Sequence, residues 1–478
     1  YIGAPPAFVQ HQHRDTARMC QLVPGNLPSC GYVLARTRKF RIGKSAGMSW
    51  TTSAGATIHG WWKWWKSPTG RMLALLGPFQ IIAGGTSLFA LGVMGQAVFA
   101  DTGWPRSLVF SGLTVGLLAS ALVSAWIGRQ IDRLGGKPVM VAGIVLNGAC
   151  CAAMAMVTSV HGYLAVWALV GVAMRMTLYD ATFALIVQRV PGDQNRVAIS
   201  TLTVIGGLAA TTFWPLGHAL NVAYGWRTTY LIFAALNLCV ALPMLLAALR
   251  RREFQMSAAT DASHGQPKRT TPDAKPLAGR ARQLAMVLFS VVMSANAFIF
   301  GALTVHMVGI IETTGLAAGV AVALASLKGA AQALGRLWEL LFARNLSPMT
   351  IARISVLLGP TAFIILVLSG ASVTAALVFT LVIGASHGLV TIVRGTLPLI
   401  LFGRDGYGAI LGILATPYLL LNALAPMLLA FVIDLWGYRP AVLILLAVAT
   451  AATVAMEIMA FWYKRQQSSA NRSGRADW

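Results

Sequence analysis

GRQIDRLGGKP, residues 128–138, is a polar knot tied between two oily runs. Arg129, Arg133 and Lys137 supply positive charge, Asp132 one negative charge, and Gly128, Gly135, Gly136 and Pro138 the turn chemistry. Before it lies SLVFSGLTVGLLASALVSAWI (107–127), and after it VMVAGIVLNGACCAAMAMV (139–157). About 20 apolar residues of α-helix cross the roughly 30 Å hydrocarbon core of a bilayer. The stretch therefore reads as the polar loop of a membrane hairpin. Glycine supplies positive φ without strain, and Pro138 suits a first helical turn, where its missing N–H is not needed.

The rest of the chain repeats this plan. Of 478 residues, 57% are hydrophobic and only 11% charged, against about 25% charged in soluble domains. Twelve apolar segments are expected, at 73–100, 107–127, 138–158, 163–187, 197–221, 228–249, 284–311, 316–335, 350–369, 372–397, 408–433 and 440–463. Between the sixth and seventh, residues 250–283 are basic and polar, the composition of a linker. The fold class is thus an all-α membrane protein of two six-helix bundles, over 71–249 and 284–463, with a tail at 464–478. Residues 1–70 form a basic extension without periodicity. Residues 1–47, ahead of Met48, read either as a true extension or as a misassigned start. WWKWWK (61–66) reads as an interfacial belt of indoles and lysines.

The net charge is +23. In a membrane protein this is loop charge on the cytoplasmic side, not a nucleic-acid footprint. With both termini inside, the outer loops hold only Arg106, Arg227 and Arg439, so an inner-membrane, N-in, C-in topology is expected. The five cysteines show no disulfide or metal spacing.

The two halves carry matching marks. Gly128-Arg129-x-x-Asp132 recurs 207 positions later as Gly335-Arg336-x-x-Glu339. Pro215 recurs as Pro426 after 211 positions, and Gly225-Trp226-Arg227 as Gly437-Tyr438-Arg439 after 212. Three matches near one offset indicate a duplicated six-helix unit, a plan known among secondary transporters.

The knot resembles the loop 2–3 motif of the major facilitator superfamily, Gly-x-x-x-Asp-Arg-x-Gly-Arg-Arg/Lys. Gly128, Asp132, Arg133, Gly135 and Lys137 match; Gly136 departs from it. The resemblance covers about residues 72–465 and implies alternating access. It also implies that Asp132 approaches the start of the eleventh segment, near Gly406-Tyr407-Gly408, and clasps the halves together. By the duplication, Gly335, Arg336 and Glu339 join this conformational-switch set. Lys328 and Gly225-Trp226-Arg227 resemble the monocarboxylate and oxalate/formate antiporter branch.

Ionisable groups within spans mark function by default, because the bilayer penalises them. Arg175 and Lys328 lie in the middle of the fourth and eighth segments. They suit an anion held between the halves, or each pairs with an acid. Asp180 follows Arg175 by five residues, about 140° of helical rotation, so the two are not expected on one face. Tyr179, at i+4, is expected to share the face of Arg175. Asp180 and Arg394 are 214 positions apart. They read as an ion pair across the halves, as a proton site, or as a static strut. His387, seven residues before Arg394, is a proton relay or a packed imidazole.

No Walker loop, His-Glu-x-x-His motif or Cys/His metal cluster is present, so neither cofactor nor metal is expected. The expected partners are a small anionic solute and the lipid bilayer, without nucleic acid or an obligate protein partner. The chain reads as a carrier for a small organic anion, coupled to protons or to exchange, and not an enzyme. A drug or metabolite exporter of the same fold, a non-transporting sensor and a membrane enzyme are the alternatives.

Overall fold

Ten segments have the length and composition to cross a membrane, in a computed structural model that describes residues 64–250, 276–343, 346–368 and 372–476. All of these belong to one unit, Trp61–Trp478. The extension before residue 64 and linker positions 251–275 lie outside the described residues.

The first bundle opens with α1 (Pro68–Thr102), α2 (Arg106–Leu134), α3 (Gly136–Ala155) and α4 (Val160–Arg189). The next segment, Gly192–Ala248, is broken at Gly225, which has φ 76° and ψ 165°. It therefore supplies two crossings, α5 (195–224) and α6 (226–248). The second bundle holds α7 (Gly279–Glu312), α8 (Ala318–Phe342), α9 (Pro348–Leu368), α10 (Val373–Phe402), α11 (Tyr407–Trp436) and α12 (Tyr438–Ala476). Helix α8 is outside the ten segments. It has the length to cross, 25 residues, and carries Lys328, Arg336 and Glu339. The split segment and α8 bring ten to the twelve expected.

Local chemistry sets the ends. Ser67 caps α1 by accepting from the Gly70 N–H at 3.1 Å, with Pro68 in the first turn. Gly135, at φ 84°, makes the turn of the knot. Several ends run past expectation: α1 begins at Pro68 instead of 73, α2 ends at Leu134 instead of 127, α8 ends at Phe342 instead of 335, and α12 stays helical to Ala476 instead of ending at 463.

Two buried clusters fill α1–α6 and two fill α7–α12. One crosses the divide, because Tyr407 and Leu411 of α11 join Ile127 and Ile131 of α2. Along this α2–α11 seam the helices touch backbone to backbone. A Cβ on Gly128 would stand 2.2 Å from the Gly408 carbonyl oxygen, and one on Gly412 would stand 2.6 Å from that of Ser124. Small residues permit this approach. The Ser124 hydroxyl donates to the Gly412 carbonyl at 2.8 Å and fixes the register. The end of the bundle that carries residues 128–138 is called the hairpin end below.

Candidate functional site

The site begins with a flaw in α4. One helical piece ends at Thr177, Leu178 is extended (φ −78°, ψ −169°), and a second piece runs from Tyr179 to Arg189. The break corrects one expectation. Rotation counted along an unbroken helix separates Arg175 from Asp180, yet the Arg175 guanidinium donates directly to the Asp180 carboxylate. The same break removes the i, i+4 relation of Tyr179 to Arg175. The Tyr179 ring stacks on Phe183, with centroids 5.6 Å apart, and its hydroxyl is 3.5 Å from the Thr203 carbonyl.

Asp180 gathers partners from the other bundle as well. The Tyr418 hydroxyl of α11 donates to Oδ2 at 2.6 Å. Arg394 Nε of α10 lies 3.2 Å from Oδ1, and the Arg394 guanidinium carbon is 5.1 Å from the centre of the Tyr418 ring. The ion pair across the halves anticipated from the 214-residue offset is therefore present. Two arginines share one carboxylate, so the buried layer keeps a net positive charge.

A second layer lies farther from the hairpin end. Lys328 Nζ sits 5.2 Å from the Phe300 ring centre. That ring meets the His387 ring edge-on at 5.2 Å. His387 is buried, with neither ring nitrogen hydrogen-bonded. Among the described residues no carboxylate pairs with Lys328. Arg175 is thus held by an acid, whereas Lys328 has only aromatic company.

Arg336 departs from its reading as a loop-switch residue. Its repeat partner Arg129 is exposed, but Arg336 is buried inside α8, its Nε unpartnered. Nη2 reaches Thr391 Oγ1 at only 3.4 Å. The guanidinium rests on α5 where Gly207 lacks a side chain; a Cβ there would stand 2.1 Å from Nη1. The neighbouring Gly206 receives the Tyr179 hydroxyl and Gln80 in the same way. Sequence reasoning assigned Arg336 to the wrong environment. Gly335 serves packing, since a Cβ would stand 2.8 Å from the Ala385 carbonyl oxygen of α10.

The hairpin end is closed by charges set on helix ends. Asp132 accepts from the N–H groups of Gly408 at 2.9 Å and Ala409 at 2.7 Å, at the start of α11. Arg404 donates to the Val187 carbonyl and, at 2.7 Å, to the Val190 carbonyl at the end of α4. Arg196, in the first turn of α5, pairs with buried Glu339 at 2.8 Å and donates to the Ala343 carbonyl at 2.7 Å and to the Leu346 carbonyl. Each contact joins one bundle to the other, and each places charge where a helix terminus leaves unpaired groups of opposite polarity. Gln188 braces the knot by accepting from the Gly136 N–H at 2.9 Å and donating to the Ile131 carbonyl at 3.0 Å. Arg133 is exposed and Lys137 half-buried. Neither Arg196, Arg404 nor Gln188 was marked in the sequence, where each looks like ordinary loop polarity.

Two six-helix bundles meeting over a charged layer, and clasped at one end, define the fold class of a membrane carrier. A sequence model of the Major Facilitator Superfamily matches residues 76–416, and the chain belongs to that superfamily. It is 23% identical over 189 residues to the uncharacterized MFS-type transporter YcxA of Bacillus subtilis strain 168. The match spans 38% of this chain and 45% of that relative, less than half its length. Three solved structures share the fold. The human organic anion transporter MFSD10 aligns with a TM-score of 0.62 at 17% identity, over 81% of this chain and 99% of that one. FucP in its outward conformation gives 0.60 at 14% identity, over 81% and 98%. A variant of the Escherichia coli fucose:proton symporter FucP gives 0.58 at 14% identity, over the same shares. These relatives are transporters, not enzymes.

Proposed function

We propose that the protein is a secondary carrier that moves a small organic anion, such as a carboxylate, by alternating access. The observation that carries this reading is the pair of cations on α8, Lys328 and Arg336, neither matched by a carboxylate among the described residues. A cation at membrane depth without a counter-charge, buried like Arg336 or half-buried like Lys328, is unfavourable. An anionic solute supplies the missing charge, with parallel donors from Arg336 and a point charge from Lys328. The fold is shared with an organic anion transporter and a fucose:proton symporter, which supports an anionic solute and coupling to protons as compatible with this architecture.

In this mechanism the Arg175–Asp180–Arg394–Tyr418 layer is the gate beneath the solute. Ionised Asp180 holds Arg394 of one bundle against Arg175 of the other. Protonation of Asp180, or a competing solute carboxylate, releases Arg394 and lets the bundles part. Asp132, Arg196 and Arg404 hold the hairpin end shut until then. The lysine and arginine distribution supports a cytoplasmic hairpin end and an inner-membrane location, which makes this the outward-facing state.

Flux of radiolabelled carboxylates into proteoliposomes tests the reading. Lys328→Ala and Arg336→Ala are each expected to lower flux about ten- to a hundredfold, the worth of one charge-assisted hydrogen bond. Undiminished carboxylate flux in both variants removes the anion assignment.

A further inference from the structure

The second bundle carries, on its flank, an apolar groove of about 750 Å³ between α7, α11 and α12. Its α7 wall is built at positions 283, 286, 287, 290, 291, 294, 295 and 298. That is the three-and-four spacing of one helix face. The far wall includes Ile413 and Pro417 of α11 and Val448 of α12. Pro417, inside α11, has no N–H to continue the helical ladder where the groove lies. Val287, Val291 and Ile413 are exposed. A cleft lined so largely by carbon, with exposed valine and isoleucine, belongs against hydrocarbon.

Two observations point to the occupant. From Gln283 to Phe298 the groove runs about 22 Å along α7, more than the roughly 15 Å depth of one leaflet. It has room for a whole acyl chain. Continuing the groove-facing spacing one turn toward the start of α7 reaches Arg280; Arg282, two residues on, lies on another side of the helix. Arg280 is exposed and Arg282 half-buried, and positions 276–290 contain no acidic residue. Neither arginine contributes to the gate or to the clasp. The mouth of an oily slot is thus marked by the positive charge of Arg280, with no acid nearby in sequence to offset it.

We propose that this groove seats one acyl chain of an anionic phospholipid, its phosphate held by Arg280. Basic sites beside membrane helices recognise anionic headgroups in this manner. The proposal is independent of the transported solute.

Native mass spectrometry of the full chain, released from vesicles of equal phosphatidylglycerol and phosphatidylcholine, tests it. The protein is expected to retain one phosphatidylglycerol in preference to phosphatidylcholine. Arg280→Gln is expected to weaken that preference by about fivefold, while Arg465→Gln, on α12, leaves it intact. Val291→Trp, which fills the groove, is expected to lower retention of both lipids. If Val291→Trp does not fold, Arg280→Gln decides alone. Equal retention of the two lipids by the wild-type protein, or an unchanged preference in the arginine variant, overturns the proposal. So does a dimer of the wild-type chain that Val291→Trp dissociates, because a second copy would then be the occupant.

Discussion

Asp180 meets Arg175 on its own helix and, across the bundles, Arg394 on α10 and Tyr418 on α11. Replacing it with Asn leaves buried Arg175 and half-buried Arg394 without a counter-charge. Breaking one partner of a buried pair costs about 3–5 kcal/mol. Asp180→Asn is therefore expected to lower the unfolding temperature and to abolish coupled flux. Tyr418→Phe removes one hydrogen bond to a charged acceptor, about 1.5–3 kcal/mol, so its loss should be smaller. Thermal unfolding in detergent ranks the two; an Asn variant as stable as wild type would show that the layer is not held by this carboxylate. The Asp180–Arg394 pair was legible in the sequence because the duplication places both residues at matching depth. The Arg175–Asp180 bond was not, because helical rotation presumes unbroken helix and nothing around Leu178, in MRMTLYDAT, marks an interruption by glycine or proline.

Helix α8 shows how a repeat misleads when its two copies diverge in surroundings. Gly128-Arg129 and Gly335-Arg336 occupy equivalent places, but Arg129 faces out while Arg336 lies against Gly207 of α5. The count of crossings, the knot and the duplication followed from apolar periodicity and turn chemistry, which are local. The environment of Arg336 depends on which residue of α5 lacks a side chain, and that is a tertiary fact. Gly207→Val is expected to push the Arg336 guanidinium aside, with an overpacking cost of about 1–3 kcal/mol, and to reduce flux. Combining it with Arg336→Ala should restore stability without restoring flux. Thermal unfolding and flux of the single and double variants separate these effects. A double variant no more stable than Gly207→Val would place the strain elsewhere.

Across the whole molecule, the two bundles are joined at the hairpin end by three helix-end contacts from Asp132, Arg404 and Arg196. Such charge–dipole contacts contribute about 0.3–1 kcal/mol each when exposed, and up to about 2 when partly buried. Three of them bias a rocking equilibrium without freezing it. The combined variant Asp132→Asn, Arg196→Ala and Arg404→Ala is expected to shift the population toward the form open at that end by about five- to a hundredfold. Spin labels at positions 129 and 405 would report a longer distance. An unchanged distance distribution would mean that the α2–α11 glycine seam alone holds the bundles together.

The break at Leu178 has an electrical consequence. Because the second piece of α4 starts at Tyr179, a helix N-terminus opens at membrane depth, with Asp180 in its first turn. Its partial positive charge adds to two guanidinium groups that one carboxylate cannot neutralise. Bare cations meet a repulsive potential there in either protonation state of Asp180, as they do at paired half-helices in water pores. The fault in one helix thereby makes this layer more positive than its side chains alone would, which, on the anion-carrier reading proposed above, favours negative cargo.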